Sequence, residues 1–197
     1  MVYIIHKLII QEVFNDNIYN IGKLACASTQ MYQTIKHIVE KEDNLLSKKL
    51  KILINYSKYP NKGMEISTSY NYQDLIDFYI KIGANLWNIG IKSAAEAGYI
   101  DLINFFLTKI AEEKMQMFTI FNCERDIDIT ATNILKNDNY LLNMGLLYGA
   151  KGGHLHIVKF FIENGADDLS YAHYAATKSD NQIVIEYLDE KLKLNTI

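Results

Sequence analysis

Three histidines near the C-terminus are the residues whose side chains could most readily bind a metal ion. His154 and His156 are separated by one residue, and His173 lies further along the chain. Imidazole nitrogens are common zinc ligands, but a structural zinc site needs four ligands. Side chains two positions apart diverge on a helix, and no cysteine pair lies near them. The spacing therefore does not predict a metal site.

A glycine-rich stretch and two acidic residues are the other candidates for chemistry. Residues 149–153 superficially resemble a phosphate-binding loop, but the preceding strand and the following lysine with serine or threonine are missing, so we interpret the glycines as packing residues. Asp126 and Asp128 lie beside a predicted helix start, where the helix dipole favours acidic side chains. No nucleophile, base and orienting acid occur at a recognisable spacing. The sequence therefore predicts a protein that is not an enzyme and has no cofactor.

The clearest local pattern is a pair of short helices within Tyr148–Asp167. An apolar run ends at Gly149-Ala150, Gly152-Gly153 interrupt it, and a second apolar run continues until Gly165. This order predicts two helices joined by a tight turn and closed by a glycine cap. One such hairpin cannot bury its apolar face alone, so we expect a stack of hairpins.

The second helix of this pattern recurs through the last two thirds of the chain. Its copies begin at Asp74, Asp101, Asp128, His156 and Gln182, in steps of 27, 27, 28 and 26 residues. A period held over five units predicts a helical repeat array. We expect Ala95 and Ala150 to lie where neighbouring first helices touch.

Two segments carry a resemblance to a known family. Residues 150–167 resemble the ankyrin repeat, and residues 171–176, with His173 at the position of its histidine, resemble its first-helix signature. The resemblance implies that His154 and His173 make hydrogen bonds that fix adjacent turns. Ankyrin units usually have about 33 residues, so these shorter units should be joined by turns rather than β-hairpins. The chain also has Gly90 and Gly145 where the family prefers proline, and the third unit, within residues 111–140, is the least regular.

These observations predict an all-α fold, an ankyrin-like helical-hairpin solenoid with short repeats of about 27 residues behind a helical N-terminal module. Pro60 is the only proline and marks the strongest break in the helical pattern. We therefore predict two modules, residues 1–58 and residues 63–193, with about five repeats in the second.

The N-terminal module resembles a degenerate F-box over about 35 residues. Its apolar side chains at helical spacing include the adaptor-contacting candidates that the resemblance implies: Val13, Phe14, Ile18 and Leu24. The opening leucine-proline of the family is absent. The alternative is a helical cap that seals the open end of the solenoid.

The charge of the chain and the absence of targeting signals limit which classes of partner and which cell compartment we expect. The net charge is −3, and 19 of the 20 basic residues are lysines, leaving Arg125 as the only arginine. Phosphate and base-edge recognition relies on arginine, so we expect no nucleic-acid partner. Residues 2–10 match neither a signal peptide nor a membrane span, so we expect no membrane partner. Cys26 and Cys123 suit a reducing compartment, the cytoplasm or the nucleus.

The combination of an F-box-like start with short ankyrin-like units looks like the ankyrin proteins of large DNA viruses. That resemblance implies a host protein as partner and, through the F-box, a Skp-type adaptor and a cullin-based ubiquitin ligase. The alternative is a plain ankyrin scaffold or inhibitor that masks its partner. An enzyme fragment supported by the solenoid is a third class.

The ankyrin resemblance also implies which side binds the partner. In that family the first helices and the turns before them line the concave side. The residues that this alignment places there are Trp87, Asn88, Glu96, Leu142, Asn143, Lys151, Leu169, Thr177 and Lys178. Trp87, the only tryptophan, is either an exposed interface anchor or packed beneath its own turn.

Overall fold

The computed structural model describes residues 33, 36–37, 45–120 and 138–194, and every regular element in them is an α-helix. The all-α prediction is therefore confirmed for this part of the chain. The chain forms two compact units, Met1–Asn85 and Leu86–Ile197. The predicted division into residues 1–58 and 63–193 stays a prediction.

The first unit contains three described helices, which pack in sequence. They are α1 (Leu45–Tyr56), α2 (Pro60–Ser69) and α3 (Gln73–Lys81). Pro60, which we predicted as a break, is the first residue of α2, where a missing N–H costs no hydrogen bond. The Tyr79 hydroxyl of α3 donates a buried 2.9 Å hydrogen bond to the Ile52 carbonyl, which ties α3 to α1.

The second unit contains the remaining described helices. They are α4 (Trp87–Ala97), α5 (Ile100–Ile120), α6 (Asn139–Gly152), α7 (Leu155–Glu163), α8 (Leu169–Lys178) and α9 (Gln182–Leu194). Three hairpins are formed by α4 with α5, α6 with α7, and α8 with α9, and the first helices lie side by side because α6 packs against both α4 and α8. Ala95 and Ala150, expected at these contacts, are completely buried.

One contact recurs inside the hairpins: a glycine of the first helix faces an aromatic ring of the second. The pairs are Gly63 with Tyr79, Gly90 with Phe106, and Gly145 with Phe161. A Cβ atom on any of these glycines would overlap the ring, and all three rings are completely buried. Glycine therefore stands at positions 90 and 145 because a larger residue has no room.

Each first helix ends in a residue with left-handed backbone geometry. Gly98 and Gly153 cap α4 and α6 with φ of 83° and 77°, and Asn71 and Asp180 follow α2 and α8 with φ of 55° and 56°. The next residue then donates to a carbonyl in the last turn, as His154 N does to Gly149 O at 3.0 Å. This cap turns the chain back into the second helix.

Only part of the predicted third unit, residues 111–140, is described. Its first ten residues, 111–120, continue α5, and α4 packs directly against α6. Gly83 and Gly165, both with positive φ, follow α3 and α7, but α5 contains no glycine or proline that would stop it. The predicted helix at residues 128–134 lies outside the described residues.

We predict that Gly145→Ala destabilises the protein by about 2 kcal/mol in urea unfolding. Alanine gains about 1 kcal/mol of helix propensity, but overpacking against a ring that is already buried costs about 1–3 kcal/mol, and more when the overlap is severe. The double variant Gly145→Ala with Phe161→Leu serves as the control, because the smaller side chain relieves the overlap. Free-energy changes that simply add in the double variant would contradict the contact.

Candidate functional site

The exposed surface of α4, α6 and α8, which we call the first-helix face, carries all three tyrosines that are exposed in the described part of the second unit. Tyr140 on α6 is 72% exposed, and Tyr171 and Tyr174 on α8 are 57% and 59% exposed. They face outward because α6 and α8 each bury the opposite side of the helix against their neighbours. The Tyr171 and Tyr174 rings are stacked, with centroids 6.3 Å apart. Tyrosine combines a broad apolar ring with a polar tip, which suits a surface that binds another protein.

A half-buried tyrosine and two lysines join α4 to α6 on this face. The ammonium groups of Lys92 and Lys151 lie 4.9 Å and 5.6 Å from the centroid of the Tyr148 ring, within the range of cation–π attraction. Lys151 also forms an ion pair with Glu96 at 2.8 Å. The hydrogen bond to Glu96 raises the pKa of Lys151 above its ordinary value of 10.5, and outweighs the opposite effect of partial burial.

The structure brings only part of the predicted contact set to the surface. Asn88, Lys151, Thr177 and Lys178 are exposed, and Glu96 and Asn143 are half-buried. The other three, Trp87, Leu142 and Leu169, are 8%, 1% and 6% exposed. Leu142 and Leu169 belong to the core, since each lies on the buried side of its helix, and neither offers a side chain to a partner. Three of the nine predicted positions are therefore corrected to packing residues.

Trp87 is packed rather than exposed, which is the second of the two alternatives considered for it. It is the first residue of α4, and its ring stacks on Phe106 of α5 with centroids 6.5 Å apart and an interplanar angle of 27°. Its indole Nε1 is buried and has no hydrogen-bond partner among the described residues. Trp87 is thus packed within its own hairpin, and the interface-anchor hypothesis is wrong.

Asn143 holds a loop in place from its position on α6. Its Oδ1 accepts hydrogen bonds from the backbone N–H groups of Asp167 and Asp168 at 3.0 Å and 3.1 Å, and its Nδ2 donates to Asp167 Oδ1 at 2.8 Å. Asn61 makes the same kind of bond to Asn85 N in the first unit, also 24 residues ahead. An asparagine followed by a turn at this distance is a signal that sequence reasoning missed.

The histidines are used in packing between hairpins. His154 Nε2 donates to Glu96 O, and His156 Nε2 donates to Gly98 O, both at 3.1 Å and both at the end of α4. The predicted turn-fixing bond of His154 is therefore confirmed. His173 Nε2 instead lies 2.9 Å from Asp189 Oδ1 on α9, without the alignment of a hydrogen bond. Across residues 45–120 and 138–194, no three histidine, cysteine, aspartate or glutamate side chains gather as a metal site.

The glycines of the supposed phosphate loop lie at the end of α6 and at its cap. A Cβ atom on Gly149 would crowd Ile157, and one on Gly152 would overlap the Glu96 carbonyl. Asn181, in the turn before α9, donates from Nδ2 to Ala150 O at 3.0 Å and to Lys151 O at 2.8 Å. The end of α6 is thus bonded to the hairpins on both sides, which agrees with the packing interpretation of its glycines.

Several candidates lie outside the described residues. They are the adaptor-contacting set Val13, Phe14, Ile18 and Leu24, the acidic pair Asp126 and Asp128, and the cysteines Cys26 and Cys123. In the part that is described, no helix combines the length and the apolar character needed to cross a bilayer.

The chain was compared with protein-family models, with curated proteins and with solved structures, and none of the three comparisons gives a match. The ankyrin and F-box resemblances therefore depend on the residues quoted above.

Two asparagines of the predicted contact set should respond differently to alanine. Asn143→Ala removes two backbone hydrogen bonds and should lower the free energy of unfolding by about 1 kcal/mol. Asn88→Ala is the matched control, since it is exposed and should stay within about 0.5 kcal/mol of the parent. Both are asparagine-to-alanine changes in a first helix, and chemical denaturation of each variant beside the parent compares the two positions. Equal changes in the free energy of unfolding would show that the hydrogen bonds of Asn143 do not contribute to stability.

The ion pair of Lys151 should contribute little, and above neutral pH it should persist until the lysine is deprotonated. Because both side chains are partly exposed, at 49% and 38%, Lys151→Met should cost no more than about 1 kcal/mol at neutral pH. The pKa of Lys151 is raised in the folded state, so the contribution is complete below 10.5 and disappears as the pH rises through the raised value. Urea unfolding of parent and variant between neutral pH and pH 10.5 should give a constant difference. A difference that already vanishes near neutral pH would contradict this assignment.

Proposed function

We propose that this protein is a non-enzymatic interaction protein that binds another protein through the first-helix face. The observation that carries the proposal is the set of exposed tyrosines, Tyr140, Tyr171 and Tyr174, on two neighbouring helices. Tyrosine is enriched among the residues that contribute most to protein interfaces. The rings cost little conformational entropy to immobilise because each has only two rotatable side-chain bonds.

The scaffold that we propose is an ankyrin-like solenoid of short helical hairpins. Within the first unit α3 begins at Gln73, and within the second unit α5, α7 and α9 begin at Ile100, Leu155 and Gln182. The last two starts are 27 residues apart, which is one more than the step of 26 predicted between these two copies and within the predicted range of 26 to 28. The side-by-side packing of α4, α6 and α8 also supports a stack, because repeat proteins bury their core between neighbouring units.

The partner that we propose is a host-cell protein, because the sequence resembles ankyrin proteins of large DNA viruses. The F-box-like N-terminus extends the proposal to a substrate receptor that presents this host protein to a Skp-type adaptor and a cullin-based ligase in the cytoplasm or the nucleus. If the N-terminus only caps the array, the protein acts as a scaffold or inhibitor that masks its partner. Retention of the adaptor and cullin by the purified full-length chain distinguishes the two.

The first-helix face is tested by affinity purification of the tagged full-length chain from eukaryotic cells, followed by quantitative mass spectrometry. The variant Tyr171→Ala with Tyr174→Ala removes two exposed rings and should leave the core unchanged. We expect at least one retained protein to fall by about tenfold or more, the usual loss when an interface hot spot is truncated.

The matched control for this experiment is Ile183→Ala. Ile183 is 68% exposed and lies on α9, a second helix, so its loss removes exposed apolar area away from the first-helix face. Every variant is first compared with the parent by circular dichroism. If no retained protein distinguishes the tyrosine variant from the Ile183 control, the proposed face is wrong.

A further inference from the structure

The exposed tyrosines of the first-helix face lack a contact that two half-buried tyrosines of the same unit make. The Tyr148 ring has lysine ammonium groups at 4.9 Å and 5.6 Å from its centroid, and the Tyr187 ring has them at 5.4 Å and 5.6 Å. Tyr140, Tyr171 and Tyr174 have no such group over the ring in the described part of the chain. Because every tyrosine ring face attracts cations, a cation of the partner can take this place.

Two carboxylates lie at the end of the face where α8 begins. Asp167 and Asp168 precede α8, and both are exposed. Each uses Oδ1 as an acceptor: Asp167 accepts from Asn143 Nδ2 at 2.8 Å, and Asp168 accepts from the Tyr171 N–H at 3.3 Å. These donors are neutral, and no lysine, arginine or histidine among the described residues forms an ion pair with either carboxylate. Neither negative charge is therefore neutralised by a described side chain.

The hydrogen bonds of Asn143 hold the start of α8 beside α6. Asn143 Oδ1 accepts from the backbone N–H groups of both aspartates, and Tyr140 lies one helical turn earlier on the same side of α6. Tyr171 lies in the first turn of α8, three residues after Asp168. These four residues, Tyr140, Asp167, Asp168 and Tyr171, form what we call the acidic end of the first-helix face.

The lysines of the first-helix face do not cancel this charge. Lys92 and Lys151 lie over the Tyr148 ring, between α4 and α6. Lys178 is exposed, but it follows Tyr171 by seven residues, which is about 10 Å along the helix axis. Exposed charges at that separation are largely screened at physiological salt. The acidic end therefore attracts a cation.

We propose that the acidic end binds a basic segment of the partner protein, with an arginine or lysine side chain over the Tyr171 ring and its charge beside Asp167 and Asp168. The inference rests on the proposed function, because it names the chemistry of the partner at the same face. Arginine suits this patch best, since its guanidinium group both stacks on aromatic rings and forms paired hydrogen bonds with carboxylates.

A basic protein segment fits the acidic end better than other ligands do. Nucleic acid carries negative phosphates, which two carboxylates repel. A bound metal ion needs more ligands, and in residues 45–120 and 138–194 no three histidine, cysteine, aspartate or glutamate side chains gather. A small organic cation is held by rings that enclose it, whereas the Tyr171 and Tyr174 rings are within 20° of parallel and more than half exposed.

The experiment begins with a selection of random short peptides displayed on phage against the immobilised full-length chain. Phage that also bind the Tyr171→Ala and Tyr174→Ala double variant are removed. The retained peptides therefore need the exposed rings, whatever charge they carry. We expect these peptides to have a positive net charge and to contain more arginine than the starting library.

The strongest retained peptide is then synthesised with a fluorescent label and titrated by anisotropy. The variant Asp167→Asn with Asp168→Asn removes both charges but keeps both Oδ1 acceptors, and asparagine caps a helix as well as aspartate does. This variant should bind the peptide about fivefold more weakly, the loss expected for two exposed ion pairs. Added salt should weaken binding to the parent more than binding to this variant.

The matched control is Asp180→Asn with Glu190→Gln, which removes two exposed carboxylates of the last hairpin outside the acidic end. Asparagine tolerates the positive φ of 56° at position 180. The control should bind the peptide like the parent. Circular dichroism of every variant is compared with the parent first. If the Asp167 and Asp168 double variant does not fold, Asp167→Asn is compared with Asp180→Asn.

Three results would overturn the inference. Retained peptides without a positive net charge would do so and would leave the proposed function standing, because they would still bind through the exposed rings. Equal binding to the two carboxamide variants would also do so, as would displacement of the peptide by calcium ions at constant ionic strength, which would assign the carboxylates to a metal ion. If no peptide is retained, the inference fails, and the affinity purification described above decides the proposed function separately.

Discussion

The packing of an aromatic ring onto a glycine is the contact on which each of the first three described hairpins depends. Phe161 on α7 lies where the Cβ of any other residue at position 145 would be, so its ring packs directly against the backbone of α6. In the last hairpin Ala172 and Leu188 stand at the same spacing and are both buried. A smaller aliphatic side chain there permits a Cβ on the first helix.

Within the second unit, hydrogen bonds at the turns of the hairpins connect each hairpin to the previous one. In the turns before α7 and α9, a polar side chain donates a hydrogen bond to the end of the first helix of the previous hairpin. His154 donates to Glu96 O of α4, and Asn181 donates to Ala150 O of α6. Carbonyls in the last helical turn lack the usual partner four residues ahead. Ala150 O also accepts from the Gly153 N–H of the cap, at 3.1 Å, so the Asn181 bond is its second. The two side-chain bonds join α4 to the hairpin of α6 and α7, and α6 to the hairpin of α8 and α9.

The same packing leaves the first-helix face exposed, which is the surface that we propose for binding. Small residues such as Ala150 and Gly145, together with leucines such as Leu142, face the neighbouring helices, so the opposite side of each first helix is left outside. On α6 and α8 this side includes the exposed tyrosines, and between α4 and α6 the outer contacts are the Tyr148 ring with two lysines. Because the tyrosine hydroxyls and the lysine ammonium groups are polar, the exposed face can stay hydrated.

The sequence by itself determined the helical class, the positions of most hairpins and the burial of small residues such as Ala95, because apolar periodicity and glycine caps act locally. It did not reveal that α5 continues to Ile120, that α4 packs directly against α6, or that Trp87 lies against Phe106. A period identifies which residues share one side of a helix, but not which neighbour covers that side. Only the tertiary structure decides this, since burial depends on contacts between residues far apart in the chain.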